Sequence, residues 1–262
     1  MTQIFDPTAV QWLVFVCGCC LGSFFNVVIY RLPNAQSIVK PASHCPACQV
    51  PIAFYDNIPL LSYVLLRGRC RHCRVRISLR YPLVEALTGV LLLMLLRRYG
   101  WGPAFLIYSV FACLLLVISF IDWDTFLIPD VLSLPGILVG FTTALFNPRL
   151  SWLESLVGIV LGGGVFYLVA WGYQRLRRQE GLGGGDIKLL AMIGAFCGWP
   201  GVVFTILLGS LVGTVVGIAV MWKTHQGLTA RIPFGPFLAL GAVGYIFWGE
   251  AFFNWYLGRM GL

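Results

Sequence analysis

The chain has 262 residues, of which 59% are apolar and 11% charged, with a mean hydropathy of +0.86. A soluble domain carries about 25% charged residues, so these figures exclude a water-soluble globule and a disordered chain and require much of the surface to face lipid. The net charge of +8 fits cytoplasmic loops and anionic headgroups rather than nucleic acid, so anionic lipids are expected partners and nucleic acid is not.

Uncharged apolar runs predict about eight transmembrane helices, at 9–30, 83–96, 101–121, 131–146, 152–174, 187–199, 201–222 and 234–257, each near the length that crosses hydrocarbon. The first run follows a segment with no basic residue, so it is expected to be retained rather than cleaved as a signal. The fourth and sixth runs are short, and Pro200-Gly201 is the weakest boundary, a tight turn or a kink in one long span. With eight spans, all of the 18 Lys and Arg except Arg97, Arg98, Arg149 and Arg259 fall on one side. The positive-inside rule then puts both termini outside and the segment 31–81 in the cytoplasm. Gly158, Gly162, Gly163 and Gly164, like Gly209, Gly213 and Gly217, recur at the spacing of close helix packing in lipid. No internal repeat of 20–50 residues is evident. The expected fold is an all-α polytopic membrane protein with a small cytoplasmic domain.

Cys45-Pro-Ala-Cys48 and Cys70-Arg-His-Cys73 form paired CxxC turns in the cytoplasmic segment, the spacing of a tetrathiolate zinc knuckle. A pair of disulfides is the other reading, disfavoured in a reducing compartment. His44 and His72 flank the turns and offer alternative ligands. A closed four-sulfur site leaves no position for substrate, so this zinc is expected to be structural. Cys17, Cys19, Cys20, Cys113 and Cys197 lie in apolar runs, where a thiol is a small hydrophobe.

Ten acids are few enough to take nearly all of them singly; Asp124, beside Asp122, is expected to matter less than Asp122. Asp6, Asp56, Glu180 and Glu250 read as solvated, Glu85 and Glu154 as capping or packing groups, and Asp130 as an N-cap. Asp122 closes the third run, where a helix C-terminus and the bilayer border both disfavour charge. Asp186 follows the glycine run 181–185 and opens the sixth, where free N–H groups favour a carboxylate. Two such acids at the cytoplasmic border suit a proton-sharing hydrolytic dyad, with Asp186 expected to carry the charge and Asp122 the proton. An ion-coupled transporter also uses membrane carboxylates, and sequence does not bring the two residues together. The glycine run lacks the ending of a P-loop. Neither HExxH nor a serine or cysteine triad is supported.

Five motifs occur in order: Gly22-Ser23-Phe24-Phe25-Asn26-Val27-Val28-Ile29-Tyr30-Arg31-Leu32-Pro33; the knuckles with Asn57-Ile58-Pro59 between them; Arg80-Tyr81-Pro82-Leu83-Val84-Glu85; Asp122 through Ile128-Pro129-Asp130; and Gly183-Gly184-Gly185-Asp186-Ile187-Lys188. Over nearly the whole chain they resemble the bacterial type IV prepilin peptidases, GxGD-type aspartic proteases. The resemblance implies a bifunctional enzyme of the bacterial inner membrane with its active site at the cytoplasmic face. Such an enzyme cleaves leader peptides of type IV prepilins or type II secretion pseudopilins and methylates the new N-terminus with S-adenosylmethionine. It implies catalysis by Asp122 and Asp186, support from the loop residues Gly183, Gly185 and Lys188, and a substrate or cofactor contact at Glu85, for which helix packing is the alternative. It divides the chain into a first transmembrane helix at 1–30, a zinc-binding segment of the methyltransferase part at 31–81 and a membrane peptidase region at 82–262. No GxGxxG follows a strand, so methyl transfer rests on the resemblance alone. The competing classes are a carboxylate-based ion-coupled transporter and a noncatalytic pilus or secretion scaffold.

Overall fold

The computed structural model describes residues 7–177, 183–224 and 232–260. Asp6, Arg178, Glu180, Gly181, His225 and Arg231 lie outside the described residues. The helices are α1 (Pro7–Arg31), α2 (Leu61–Leu65), α3 (Arg80–Tyr99), α4 (Pro103–Thr125), α5 (Asp130–Ala144), α6 (Trp152–Ile159), α7 (Phe166–Arg177), α8 (Gly184–Thr224) and α9 (Gly235–Met260). A 3-10 turn, Phe54–Asn57, precedes α2, and a π-helical turn, Val160–Val165, joins α6 to α7. Among the described residues there is no strand, only isolated bridges. The all-helical membrane fold is as expected, but five helical stretches, rather than eight, are long and apolar enough to cross a membrane. The shortfall has local causes. Helix α3 carries Arg80, Glu85, Arg97 and Arg98, α5 has only 15 residues, and the sixth and seventh predicted spans form one helical stretch, α8, whose two legs are separated by a break at Gly198.

The chain forms two compact units, Met1–Phe105 and Leu106–Leu262. In the first, a Cβ at Gly18 would fall 2.7 Å from Gly89 Cα and one at Gly22 2.7 Å from Glu85 Cα. The reversed order shows that α1 and α3 run antiparallel, backbone against backbone. By packing, the unit therefore extends to Phe105, past the 81/82 boundary drawn from the sequence.

Between Leu32 and Leu79 only Cys45, Ser62 and Gly68 are buried, so this segment has no hydrophobic core of its own. Its order comes from two copies of one turn. Cys45 N–H donates to Val50 O, Gln49 N–H to Cys45 O and Ile52 N–H to Ser43 O; Cys70 to Val75, Arg74 to Cys70 and Ile77 to Gly68 repeat the pattern. Gln49 and Arg74 take matching left-handed conformations, φ 58° and 59°. This internal repeat escapes the sequence reading because the copies share only C-x-x-C-x-V-x-I. Arg71 clamps the second copy to the 3-10 turn through a bidentate pair with Asp56 at 2.6 and 2.7 Å. Asp56 is thus not the solvated acid expected, and the Arg71 guanidinium holds its carboxyl below the usual range.

In the second unit, Ser151 and Glu154 form a capping box at the start of α6, one of the two roles open to Glu154. A Cβ at Gly158 would meet the Gly194 carbonyl and one at Gly162 the Leu190 carbonyl, so α6 runs antiparallel to the first half of α8. Gly136 against Met192 and Gly140 against Ala195 make α5 parallel to it. Gly201 against Tyr245, Gly241 against Thr205 and Gly209 against Phe237 make α9 antiparallel to the second half. Helix α8 breaks at Gly198, φ 66°, a conformation that glycine adopts without a Cβ clash. The expected interruption at Pro200-Gly201 thus falls at Gly198. The helix-packing reading holds for Gly158, Gly162 and Gly209, whereas Gly164, Gly213 and Gly217 meet only ordinary contacts at 3.4 Å or more.

Candidate active site and metal centre

Asp122 sits three residues before the end of α4 and is 5% exposed. Its Oδ2 accepts a 2.9 Å hydrogen bond from the backbone N–H of Gly235, the first residue of α9. A Cβ at Gly235 would stand 2.6 Å from that oxygen, so only glycine lets the α9 amino end approach the carboxylate this closely. Asp186 occupies the first turn of α8 and its N–H bonds Gly183 O at 3.1 Å. Ile128, in the turn after α4, fills the space between. Its side chain lies where a Cβ on Gly185 would come to 2.9 Å and one on Gly235 to 3.4 Å. The amino ends of α8 and α9 therefore meet beside the end of α4, which brings Asp122 and Asp186 to the same end of the unit. Because α9 is antiparallel to the second half of α8, both ends of α8 come to this same end of the unit, and the chain reverses at Gly198.

Each aspartate faces a helix amino end, Asp186 that of α8 and Asp122 that of α9. The asymmetry expected from α4 and α8 alone omitted α9, whose N–H groups favour negative charge at Asp122. The signal for α9 was present as Pro233-Phe234-Gly235-Pro236, a helix-start pattern; what it would face was not legible. Gly183 lies against the Asp186 carboxyl and Gly185 against Ile128. Lys188 Nζ holds both oxygens of Asp130 on α5, at 2.7 and 2.8 Å. That pair ties the first turns of α5 and α8 together on either side of Ile128. Lys188 is thus engaged with protein rather than free for a lipid headgroup. Asp130 is the first residue of α5, with Pro129 at the N-cap position.

In the first unit, the sulfurs of Cys45, Cys48, Cys70 and Cys73 all lie within 4.8 Å of one another, with Cys45 and Cys73 at 3.7 Å. Zinc bonds of about 2.3 Å in a tetrahedron set sulfurs about 3.8 Å apart, whereas a disulfide needs about 2.05 Å. The four thiols fit a metal and exclude the disulfide reading of this arrangement. Backbone N–H groups of Cys48 and Ala47 hold the Cys45 thiol down to about 6, and those of Cys73 and His72 lower Cys70. These amides stabilise thiolate, the form that ligates. Neither His44 nor His72 joins the cluster among the described residues. Glu85, 8% exposed, accepts from Leu60 N–H at 2.8 Å and hydrogen-bonds Ser23, so it ties α1, α3 and the loop before α2 together.

The fold and site define a helical membrane protein with an aspartate pair and a separate tetrathiolate cluster. Residues 16–99 match the bacterial peptidase A24 N-terminal domain and residues 109–218 the type IV leader peptidase family. The chain is 36% identical over 275 residues to a prepilin leader peptidase/N-methyltransferase of Aeromonas salmonicida (strain A449), covering 95% of this chain and 94% of the relative. The like-named Pseudomonas putida protein is 35% identical, covering 94% and 93%. The like-named Myxococcus xanthus (strain DK1622) protein is 43% identical, covering 85% of this chain and 66% of the relative. No solved structure matches the chain. The chain belongs to the type IV leader peptidase family.

Proposed function

We propose that the chain is a bifunctional prepilin leader peptidase and N-methyltransferase of the bacterial inner membrane, acting on type IV prepilins or type II secretion pseudopilins. What supports the peptidase reading is that the amino ends of α8 and α9, the first carrying Asp186 and the second bonding Asp122, both pack on Ile128. One carboxylate takes a proton from water as its oxygen attacks the scissile carbonyl. The other acid donates to the leaving nitrogen, and the pair shares the proton between turnovers. The Gly235 amide fixes the Asp122 carboxyl, while the Lys188–Asp130 pair and Ile128 fix the chain around Asp186. Counted on eight spans, as in the sequence reading, the charge distribution supports periplasmic termini and a cytoplasmic active site.

In the first unit, zinc held by Cys45, Cys48, Cys70 and Cys73 supplies a structural cross-link. S-adenosylmethionine, when bound, would supply the electrophilic methyl group for the amine that cleavage exposes. Anionic lipids neighbour the basic loops.

The purified chain, mixed with a prepilin and S-adenosylmethionine without any ion gradient, is expected to yield a leader peptide and a mature pilin one methyl group heavier by mass spectrometry. A transporter or scaffold would yield neither. Gly235→Ala is expected to lower cleavage on the order of a hundredfold without unfolding the chain, since the added methyl displaces the Asp122 carboxyl. Initial cleavage rates alongside a thermal unfolding midpoint check it, and a rate within threefold of the parent would remove Gly235 from the site.

A further inference from the structure

The chain leaves α1 at Arg31 and returns at Arg80 to α3, which runs antiparallel to α1. Both ends of the segment between them are thus fixed to one end of a helix long and apolar enough to cross a membrane. Within that segment α2 has an unpartnered face. Its inner side is tied down at three places: Leu60 N–H donates to Glu85 at 2.8 Å, the Ser62 hydroxyl to Tyr55 O at 2.9 Å and the Tyr63 hydroxyl to Ile77 O at 3.2 Å. Leu61, Val64 and Leu65, at the i, i+3, i+4 spacing of one helical face, are left 51%, 70% and 70% exposed. The turn that ends α2 carries cations. A cleft of about 260 Å³ is lined by Leu66, Arg67, Arg69 and Arg74, and Arg76 stands opposite Arg69 across an isolated antiparallel bridge. All four arginines are exposed, and like charges directly opposite one another repel. The one acid between residues 32 and 79, Asp56, is taken by Arg71. Among the described residues no carboxylate pairs with any of the four. A zinc-loaded tetrathiolate carries only two negative charges, and Arg67 lies outside the hydrogen-bonded turn 68–77 that holds the second cysteine pair.

We propose that α2 and this cleft dock the first unit on the anionic surface of the membrane, with Leu61, Val64 and Leu65 in the headgroup–acyl boundary and Arg67, Arg69 and Arg74 around a lipid phosphate. The combination of the two features selects the partner. A free phosphate uses the arginines and leaves the apolar stripe in water, whereas a phospholipid surface offers phosphate and hydrocarbon side by side. Guanidinium groups match phosphate oxygens bidentately, and their aliphatic stems lie along apolar surface while the charged ends reach the headgroups. Anionic lipid also relieves the repulsion between facing arginines. The assignment rests on the reading that anionic lipids neighbour the basic loops and adds to it the place and the recognising residues. Docking has a consequence for the rest of the unit. Through Leu60 and Glu85 the docked helix is joined to α3, and through Ser62 and Tyr55 to the 3-10 turn that Asp56 clamps to Arg71. It therefore fixes how the second knuckle stands on the membrane surface.

The test is hydrogen–deuterium exchange on the full-length, zinc-loaded chain in nanodiscs of phosphatidylcholine alone or in equal mixture with phosphatidylglycerol. The α2 amides are expected to exchange roughly tenfold to a hundredfold more slowly in the mixed discs, about fivefold for each arginine engaged, and to lose that protection at high salt. The combined variant Arg67→Gln, Arg69→Gln, Arg74→Gln is expected to exchange alike in both discs while keeping its zinc. Val64→Ser with Leu65→Ser, away from the thiolates, is expected to lose most of the difference as well. Equal exchange by the parent in the two discs, or a difference that survives in either variant, overturns the proposal. Loss of zinc by the arginine variant overturns it too, by assigning those charges to the metal. So does protection by inorganic phosphate in phosphatidylcholine discs, which makes the cleft a free-anion site, or protection that appears only with an added prepilin, which makes it a protein-docking face. Lipid retained by the chain after purification from a mixed membrane separates this site from the wider reading. Phosphatidylglycerol enrichment that the arginine variant keeps in full removes only this site, whereas no enrichment in the parent removes the lipid reading itself.

Discussion

Asp122→Asn and Asp186→Asn are each expected to lower prepilin cleavage by about a hundred- to ten-thousandfold, the range for loss of a general acid or base. The amide preserves size and keeps an oxygen that can accept the Gly235 N–H now bound at 2.9 Å, so the start of α9 need not move. What it removes is the exchangeable proton, and with it either the activation of water or the protonation of the leaving nitrogen. Asp130→Asn provides the comparison. It breaks a pair whose side chains are 38% and 54% exposed, worth about 0–1 kcal/mol at a surface, and cleavage is expected to stay within about fivefold. Initial rates on a purified prepilin, with zinc content and unfolding midpoint as controls for integrity, make the comparison. Cleavage within tenfold of the parent by either dyad variant would exclude that aspartate from the chemistry.

Removal of the metal is expected to have the second-largest effect, confined to the first unit. Cys45→Ser or Cys70→Ser should reduce zinc from one per chain to near none by elemental analysis and abolish methyl transfer. The reason is the absence of any other core in 32–79, where only Cys45, Ser62 and Gly68 are buried. Structural zinc contributes apparent binding energies of about 10–16 kcal/mol in small domains, and nothing else in this segment is of that order. The single Arg71–Asp56 clamp, open to solvent on its Arg71 side, cannot substitute for it. Cleavage should fall less than methylation, since Asp122 and Asp186 belong to the other unit. A variant that lost its zinc and kept full methyl transfer would refute the structural role.

The membrane class, the all-helical fold and the cysteine cluster were legible because their physics is local. Apolar runs of helix length need lipid, and CxxC turns present two sulfurs to one ion wherever they occur. The left-handed break at Gly198 was missed in favour of Pro200-Gly201 because proline is the stronger punctuation mark, while the need for a positive φ at a glycine shows only in the backbone. The knuckle repeat was missed for a related reason, since the two copies share only four side chains while their backbone hydrogen bonds repeat in full.

Asp122 and Asp186 stood out by type and position, each at the end of an apolar run. Their meeting depends on the reversal of α8 at Gly198, which returns the chain to the level of α9, and on Ile128 filling the space between Gly185 and Gly235. The proton asymmetry assigned from α4 and α8 could not include α9, because a helix end acts on whichever carboxylate packing brings to it, and packing is non-local. Arg67, Arg69 and Arg74 mark the same limit. As sequence features they were bases of a cytoplasmic loop, and only the tertiary structure shows them around one cleft beside the outward face of α2. Residue chemistry and run length thus determined the class of protein and the groups able to react, while close approach of backbones at glycines decided which of those groups share a site.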